Sequence, residues 1–416
     1  MRLNEVLAVL DDRLRAHVPA PVAVAFSGGG DSLALLLIAQ AWAKAHGRRL
    51  VVLSVDHGLQ PQGAAWVESC AAVAARLGVA FRPLAWTGPK PERGVPAAAR
   101  AARHRLLAEA ARDAGARVIL LGHTADDRLE AQAMREAGAT TPDPAVWAPS
   151  PVWPEGRGLF LLRPLLGVRR EALRDWLRAR EEAWVEDPAN ADPRSARARA
   201  RTALAGRGTV CAASGPAADA AHLAAACDAT SWGGLSIARG ALREAEEGPA
   251  RRFLAAACLC AGGTSRPPRG DRLQRLLDAV RGERPVTATL GGSRIEADGE
   301  AVRLMREPGE AARGGLAPCA LPLRHTVVWD GRYEVVAARN GLSVRPLAGL
   351  AARLADRERR ALPSVPAAAR GALPAIVGPQ GVVSCPVLWA SDDVQVTPLV
   401  GARLDAACGA VAREPV

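Results

Sequence analysis

The chain has 416 residues, of which 49% are hydrophobic, and its formal net charge is +11. This length predicts two or three domains rather than one, and no segment approaches the roughly 18 consecutive apolar residues of a membrane span, so we expect no membrane contact. The surplus of basic residues is typical of proteins that bind a polyanion such as nucleic acid. However, Lys44 and Lys90 are its only lysines, and a GC-rich coding bias toward arginine explains the charge equally well.

The first part of the chain alternates apolar strands with helices. Residues 1–14 predict an amphipathic helix whose acidic residues exclude a signal peptide. Predicted strands follow at 22–27, 50–55 and 117–123, and predicted helices at 33–45, 64–77, 96–114 and 126–137. Continuous apolar strands that alternate with helices indicate an α/β fold, with a doubly wound parallel sheet covered on both faces.

The composition changes further along the chain. Residues 139–160 are rich in proline, tryptophan and glycine and predict a loop, and a helix is expected at 168–182. Residues 215–285 are alanine-rich and helical, whereas valine-rich runs separated by glycine and proline begin near residue 320. We therefore predict an α/β domain at 1–205, an α-helical middle domain at 206–318 and a small β-rich C-terminal domain at 319–416.

The eight cysteines indicate neither a metal site nor a disulfide framework. They are scattered and form no C-x-x-C pair. Cys258 and Cys260 lie in an alanine-rich helical run, where two small buried thiols are expected. These features predict a cytoplasmic protein.

The segment Ser27–Ser32, with the sequence SGGGDS, lies between a predicted strand and a predicted helix. A glycine run at a helix N-terminus lets backbone N–H groups approach a phosphate. The segment lacks the Gly-Lys-Ser/Thr of a Walker A loop, the spacing of G-x-G-x-x-G and the G-x-S-x-G of a nucleophile elbow. A purely structural alternative is that Asp31 or Ser32 caps the helix.

Polar residues also stand at the ends of two later strands: Asp56 and His57 follow the strand at 50–55, and His123, after Gly122, ends the strand at 117–123. The carboxyl ends of these strands face one edge of the sheet, where ligands of open α/β sheets bind. Asp127 and Glu130 share one helix face, with Asp126 nearby, and three acids crowd together only where a cation such as Mg²⁺ or a substrate ammonium shares the site. The alternatives are acids that complement the helix dipole and histidines buried in the core.

These motifs resemble a known family. SGGGDS matches the S-G-G-x-D-S pyrophosphate loop of the N-type ATP pyrophosphatases, the PP-loop family. VDHGLQ (55–60) and GHTADDRLE (122–130) are similar to V-D-H-G-L-R and G-H-x-x-D-D-Q-x-E-T of one branch, from which the chain departs at Arg128 and Ala131.

The order of the later motifs resembles the tRNA(Ile)-lysidine synthase branch. AARAARH (98–104) is similar to A-R-x-x-R-Y of that branch, with Arg100 and Arg103 matching. RPLL (163–166), EDPANAD (186–192) and then Arg197 and Arg201 follow in the same order as in that branch.

The resemblance implies an activity and a set of site residues. It implies ligation of the ε-amine of L-lysine to C2 of the wobble cytidine of tRNA-Ile with a CAU anticodon, through an adenylated cytidine, with ATP and Mg²⁺ as cofactors. ATP binding is expected at Ser27, Gly28, Gly29, Gly30, Asp31, Ser32, Asp56, His57, Gly122 and His123. Lysine binding is expected at Asp127 and Glu130, Mg²⁺ binding at Asp31 and Asp126, and catalysis at Asp31, Asp127, Glu130 and Arg197.

The same resemblance implies contacts to phosphate or tRNA. These are expected at Arg100, Arg103, Arg163, Arg197 and Arg201, and the two later domains would contact the tRNA. A homodimer is one arrangement that the sequence leaves open.

Two other functions are compatible with the scaffold. A tRNA thiolase of the same superfamily needs a thiol pair or an iron–sulfur cluster, and the absence of C-x-x-C argues against it. A non-catalytic tRNA-binding protein would not need the intact SGGGDS loop and acidic residues, and turnover of ATP to AMP would distinguish it from an enzyme.

Overall fold

The computed structural model describes residues 3–139, 141, 143–186, 196–204, 219–313 and 315–416. The chain forms two compact units, Met1–Ala217 together with Val411–Val416, and Ala218–Ala410. The last six residues therefore belong to the first unit, although they lie far from it in sequence. The boundary expected between a middle and a C-terminal domain falls inside the second unit and stays a prediction.

The first unit contains a six-stranded sheet with the order β3-β2-β1-β4-β6-β5. Its strands are β1 (Val22–Ala25), β2 (Leu50–Asp56), β3 (Ala80–Ala85), β4 (Val118–Leu120), β5 (Trp147–Pro149) and β6 (Phe160–Leu162). Its described helices are α1 (Leu3–Arg13), α2 (Gly30–Ala45), α3 (Gly63–Arg76), α4 (Val95–Asp113), α5 (Ala125–Glu136), α6 (Arg170–Arg178) and α7 (Ala196–Leu204). All neighbouring strands are parallel except β5, which pairs antiparallel with β6.

This sheet confirms the predicted doubly wound α/β fold. One face packs on α1, α2 and α6, and the other packs on α4, so β1 is buried on both sides. The strand order changes direction between β1 and β4, because β2 and β3 lie on one side of β1 and β6 and β5 lie beyond β4. The carboxyl ends of β1 and β4 therefore meet at the switch point where such sheets bind ligands.

Three strands of this sheet were not predicted from the sequence. β3 is largely exposed at the sheet edge and contains Pro83, so it lacks the apolar run of a central strand. β5 and β6 have three residues each, which is too short to give a periodic signal.

The last residues of the chain pack on the start of the first unit. The Glu414 carboxylate is buried and accepts hydrogen bonds from both terminal nitrogens of Arg48, each at 2.8 Å, and from the backbone N–H of Arg15 at 2.9 Å. The indole N–H of Trp147 donates to the carbonyl of Val411 at 2.6 Å. Residues 411–416, which we call the tail, are thus an integral part of the first unit.

The second unit combines helices with three antiparallel sheets. A five-stranded sheet contains β7 (Cys227–Ala229), β8 (Leu235–Ala238), β9 (Val286–Leu290), β10 (Ser293–Ala297) and β11 (Ala301–Arg306). A four-stranded sheet contains β12 (Cys319–Leu321), β15 (Leu342–Pro346), β16 (Pro374–Val377) and β17 (Val383–Ser384), and a three-stranded sheet contains β13 (Thr326–Trp329), β14 (Tyr333–Ala337) and β18 (Val394–Pro398). The described helices are α8 (Ala221–Ala225), α9 (Arg239–Glu244), α10 (Glu247–Ala261), α11 (Gly270–Arg281), α12 (Asp356–Ala361), α13 (Ala367–Arg370) and α14 (Val400–Cys408).

The middle region thus adds a sheet to the predicted helices. A two-glycine turn, Gly291–Gly292, joins β9 to β10, and Leu290 pairs with Ser293 across it, as is typical of a tight hairpin. Cys258 and Cys260 are fully buried on α10, which confirms the expectation of two small buried thiols, and burial raises the pKa of each thiol to about 12. Among the described residues, no helix is long and apolar enough to cross a membrane.

Candidate active site

The glycine loop joins β1 to α2 at the switch point of the sheet. Gly28 has a φ of 82°, in the left-handed region that favours glycine. The Ser32 hydroxyl donates to the carbonyl of Gly29 at 2.9 Å and lies 3.2 Å from the Ser27 hydroxyl. The loop is therefore closed on itself at the start of α2, where helix N–H groups and the helix dipole favour an anion.

A second segment packs against the loop. The N–H of Val185 donates to the carbonyl of Gly28 at 2.9 Å. A Cβ atom on Gly30 would lie 3.4 Å from the ring of Trp184. This segment follows α6, so the chain beyond α6 forms one wall of the loop.

Gly122 allows the end of β4 to approach the glycine loop. A Cβ atom at this position would lie 3.1 Å from the carbonyl oxygen of Asp31 and from the backbone of Ser32. The neighbouring atoms are backbone and cannot rotate away. Any larger residue at position 122 would therefore push the end of β4 away from the start of α2.

The acidic residues of the site surround one arginine. The Arg170 side chain donates from Nε to Asp31 Oδ2 at 2.9 Å and from Nη1 to Glu130 Oε1 at 3.1 Å, and its Nη2 lies 3.5 Å from Asp127 Oδ2. Arg201 donates from Nε to the same Glu130 oxygen at 2.9 Å. The cation that the crowded acids require is thus supplied, in this structure, by the chain itself. We call Asp31, Asp127, Glu130 and Arg170 the acidic cluster.

Burial and the neighbouring charges shift the pKa values of Asp31 and Arg170 in opposite directions. Burial raises the pKa of Asp31, and the hydrogen bond and charge of Arg170 partly oppose that rise. Burial acts to lower the pKa of Arg170, but the bond to Asp31 and the charges of Asp31, Asp127 and Glu130 raise it overall. Arg170 therefore stays protonated, and its positive charge favours the ionised form of Asp31.

Asp126 and Asp127 have different structural surroundings. One oxygen of Asp127 accepts hydrogen bonds from the N–H and the hydroxyl of Thr124, at 2.8 and 3.0 Å, which forms a capping box at the start of α5. Asp126 accepts from the backbone N–H of Arg170 at 2.7 Å and pairs with the Arg169 side chain at 3.0 Å. Asp126 thus caps the N-terminus of α6.

A second group of arginines and histidines surrounds Arg163. The buried Arg163 donates from Nε to His123 Nδ1 at 3.0 Å, so the neutral ring carries its proton on Nε2. Burial, together with Arg103, Arg100 and Arg163, lowers the pKa of His104 to about 3, and burial with Arg100 and Arg103 lowers the pKa of Arg163 to about 10. Arg100, Arg103 and Arg163 form a region of positive potential, which we call the basic cluster.

The end of β2 contributes Asp56 and His57. Asp56 Oδ1 accepts from the N–H of Gly58 at 2.8 Å, and a Cβ atom on Gly63 would meet the same oxygen, so the carboxylate packs against the start of α3. Burial and the charge of Arg103 lower the pKa of His57. The ring is therefore neutral and faces the site as a polar but uncharged group.

A cavity of about 580 Å³ is lined by residues of the glycine loop, the acidic cluster, the basic cluster and the end of β2. Residues named from the sequence that line it are Ser27, Gly29, Gly30, Asp31, Ser32, Asp56, His57, Arg103, Gly122, His123, Asp127 and Arg201. Glu130 is buried and reaches the cavity lining through Arg170 and Arg201. Arg197 lies on α7, but its side chain is outside the described residues, as are residues 187–192 of the EDPANAD segment.

Several lining residues were not singled out from the sequence. Among them are Arg170, Arg174, Val185 and Trp66. Crowded acids need a cation, but nothing in the sequence distinguishes Arg170 from the other arginines that follow the RPLL segment. Val185 carries no chemical signal, since only its backbone and its aliphatic surface contact the loop.

Comparisons with known proteins agree with this geometry. Residues 4–207 match the family model of the PP-loop domain. The chain is 47% identical to a tRNA(Ile)-lysidine synthase of Caulobacter vibrioides, with 100% of each chain covered. It is 38% identical to a tRNA(Ile)-lysidine synthase of Hyphomonas neptunium over 74% of this chain and 88% of that protein.

A solved structure is also similar to part of the chain. The U34-tRNA thiolase NcsA from Methanococcus maripaludis, with its [4Fe-4S] cluster, aligns with 49% of this chain and 71% of that chain, with a TM-score of 0.41 and 16% identity. This likeness is too slight to bear on function.

Proposed function

The chain belongs to the tRNA(Ile)-lysidine synthase family, and on that premise we propose how its residues perform the ligation. The reaction joins the ε-amine of lysine to C2 of the wobble cytidine of tRNA-Ile with a CAU anticodon and converts ATP to AMP and diphosphate. The observation that carries the proposal is a single cavity whose lining includes the glycine loop, Asp31, Asp127 and several arginines. Such a cavity can hold a nucleotide, a base and an amine together.

In the first step the wobble cytidine is activated. Its O2 attacks the α-phosphorus of ATP, the bond to the β-phosphate oxygen breaks, and diphosphate leaves. Residues Ser27–Ser32 bind the departing diphosphate through backbone N–H groups and hydroxyls at the start of α2. Adenylation converts the poor C2 oxygen leaving group into a good one, which is why ATP is consumed.

We assign the magnesium site to Asp31. Its carboxylate lies at the start of α2, next to the loop that binds the phosphates, and Mg²⁺ is usually held by one or two carboxylates with phosphate oxygens and water. One oxygen of Asp31 accepts from Arg170, whereas both oxygens of Asp126 accept contacts from residues at the start of α6, so Asp126 fits a structural role better. When bound, Mg²⁺ would neutralise charge on the phosphates.

In the second step lysine displaces AMP. Asp127 and Glu130 bind the amine and orient it toward C2, and one of them accepts its proton as the C2–N bond forms and the C2–O bond breaks. Arg201 neutralises the phosphate of the leaving AMP, and the same role for Arg197, whose side chain lies outside the described residues, stays a prediction.

We propose RNA contacts for the basic cluster and, separately, for the second unit. Arg100, Arg103 and Arg163 create a positive potential that suits phosphate. The net charge of +11 over the whole chain supports tRNA contacts by the predicted domains at 206–318 and 319–416. The reaction consumes tRNA and ATP, so we place it in the cytoplasm, and a homodimer stays a prediction.

The thiolase alternative is not favoured. No cysteine is among the described residues that line the cavity, and the relatives that match the whole chain or most of it are lysidine synthases. The SGGGDS loop and the acidic cluster also argue against a non-catalytic RNA-binding protein, because binding alone needs neither.

A direct assay tests the function. The protein is incubated with a CAU-anticodon tRNA-Ile transcript, ATP and labelled lysine, and the RNA is digested to nucleosides. We expect a lysine-bearing cytidine, and none when the wobble cytidine is replaced by uridine. Label in both transcripts, or in neither, would contradict the proposed function.

A further inference from the structure

Arg170 joins acids that come from different elements of the first unit. Asp31 begins α2, Asp127 and Glu130 lie on α5, and Arg170 itself begins α6. The guanidinium contacts one oxygen of each acid, at 2.9, 3.5 and 3.1 Å for Asp31, Asp127 and Glu130. Its side chain is only 17% exposed, yet it lines the cavity.

The shape of this side chain matters as much as its charge. A guanidinium is a rigid plane with donors at fixed angles, so three acids bound to one guanidinium are fixed relative to one another. Without a cation between them, carboxylates this close repel and turn apart. An ammonium would supply the charge but not the planar fork.

We propose that Arg170 is a positioning residue, which acts through Asp127 and Glu130 and holds their carboxylates in the orientation that receives the lysine amine. The inference rests on the proposed function, in which Asp127 and Glu130 bind that amine. An arginine whose only role was to hold α6 against a neighbouring helix would need a bond to α5 alone. Arg170 instead connects the diphosphate side of the cavity, at Asp31, with the amine side, at Glu130.

The test is a double-mutant cycle on the full chain. Arg170→Met, Glu130→Gln and the double variant are compared with the unmodified protein for lysine binding by calorimetry without RNA, and for the KM of lysine in lysidine formation. We expect Arg170→Met to weaken lysine binding tenfold or more, but less than threefold when Glu130→Gln is already present. Arg170→Lys, which keeps the charge, should give an intermediate loss.

The control comes from the same helix. Arg178 also pairs with two acids, Glu171 and Asp175, but its side chain is 53% exposed and outside the cavity. Arg178→Met should change lysine binding less than twofold and combine multiplicatively with Glu130→Gln. Circular dichroism checks that each variant unfolds cooperatively, and if Arg170→Met does not fold, Arg170→Lys takes its place in the cycle.

The outcomes separate this inference from the proposed function. If the losses for Arg170 and Glu130 multiply, or if Arg178→Met matches Arg170→Met, Arg170 is merely structural and the inference is wrong. In that case lysidine formation by the unmodified protein leaves the proposed function intact. If the unmodified protein binds lysine and shows the coupling but forms no lysidine, the function is wrong and the positioning role stands.

Discussion

Replacing Glu414 by glutamine should destabilise the first unit strongly, although the residue does not line the cavity. Its carboxylate receives two bonds from Arg48 at 2.8 Å, and the exposed fractions of the two side chains are 0% for Arg48 and 1% for Glu414. Glutamine keeps the shape but removes the charge, and it turns amide N–H groups toward a guanidinium that can only donate. Arg48 is then left as a buried charge without its counter-ion.

The magnitude follows from burial. Breaking a buried ion pair by removing one partner costs about 3–5 kcal/mol. In a unit of this size each kcal/mol lowers the melting temperature by about 2–4 °C, so Glu414→Gln should lower the Tm by about 6–20 °C. The matched control is Glu182→Gln, because Glu182 also receives two bonds from one arginine, at 2.9 and 2.6 Å, but the Arg76 side chain is 52% exposed. An exposed pair contributes only about 0–1 kcal/mol.

Thermal unfolding followed by circular dichroism measures both variants. Because a chain with two units need not unfold in one step, hydrogen exchange of the β1 and β2 amides reports on the first unit alone. Replacing the pair together, as Arg48→Met with Glu414→Leu, should recover most of the loss, since it leaves no buried charge. Equal Tm shifts for Glu414→Gln and Glu182→Gln would refute the reasoning.

Four further predictions concern the site and the RNA. Asp31→Ala should abolish Mg²⁺-dependent formation of AMP while unfolding stays cooperative, and AMP release at the unmodified rate would show that the loop does not bind diphosphate. Glu130→Gln should raise the KM of lysine at least tenfold, about 1.4 kcal/mol of lost charge pairing, and an equal rise in the KM of ATP would assign Glu130 to the metal instead. Gly122→Ala should destabilise the first unit by about 1–3 kcal/mol through overpacking and lower the rate of AMP formation, as unfolding and AMP assays would reveal. Replacing residues 219–410 by a short linker, with the tail kept, should weaken tRNA binding and flatten the dependence of log K on log salt, because phosphate contacts release counterions. Filter binding over a salt series measures that slope, and an unchanged slope would remove the second unit from RNA binding.

The central part of the fold could be predicted because its signals are local. β1 and β2 are apolar runs closed by glycine or polar residues, and α2 follows the SGGGDS loop directly. The edge strand β3 escaped prediction because an exposed strand with Pro83 has neither a continuous apolar run nor strict alternation. The sheet of the middle region escaped because its strands have only three to six residues, too few for a clear periodic signal, and only the Gly291–Gly292 turn indicates a hairpin.

The site was predictable where one motif supplies several neighbouring residues. Asp31 and Ser32 follow the loop glycines, and Asp127 and Glu130 share one face of α5, so sequence spacing already brings each pair together. Arg170 was missed because its role depends on the packing of α6 against α2 and α5, which spacing does not encode. The tail was missed for the same reason, since Glu414 meets Arg48 only through the tertiary fold.

The positive charge in the cavity comes from arginine side chains and not from lysine, and this has a consequence for side reactions. The proposed adenylated cytidine is an electrophile that any unprotonated primary amine could attack. Four arginines are among the described residues that line the cavity: Arg103, Arg170, Arg174 and Arg201. No lysine is among those lining residues. Because a guanidinium stays protonated in proteins, these side chains supply positive charge without competing as nucleophiles. The ammonium of Lys90 lies 3.9 Å over the ring of Trp86 and donates to the carbonyl of the same residue. These two contacts hold the ammonium at Trp86. The cavity can therefore attract phosphates and still leave the substrate as the amine that captures the activated base, so that the enzyme does not modify itself.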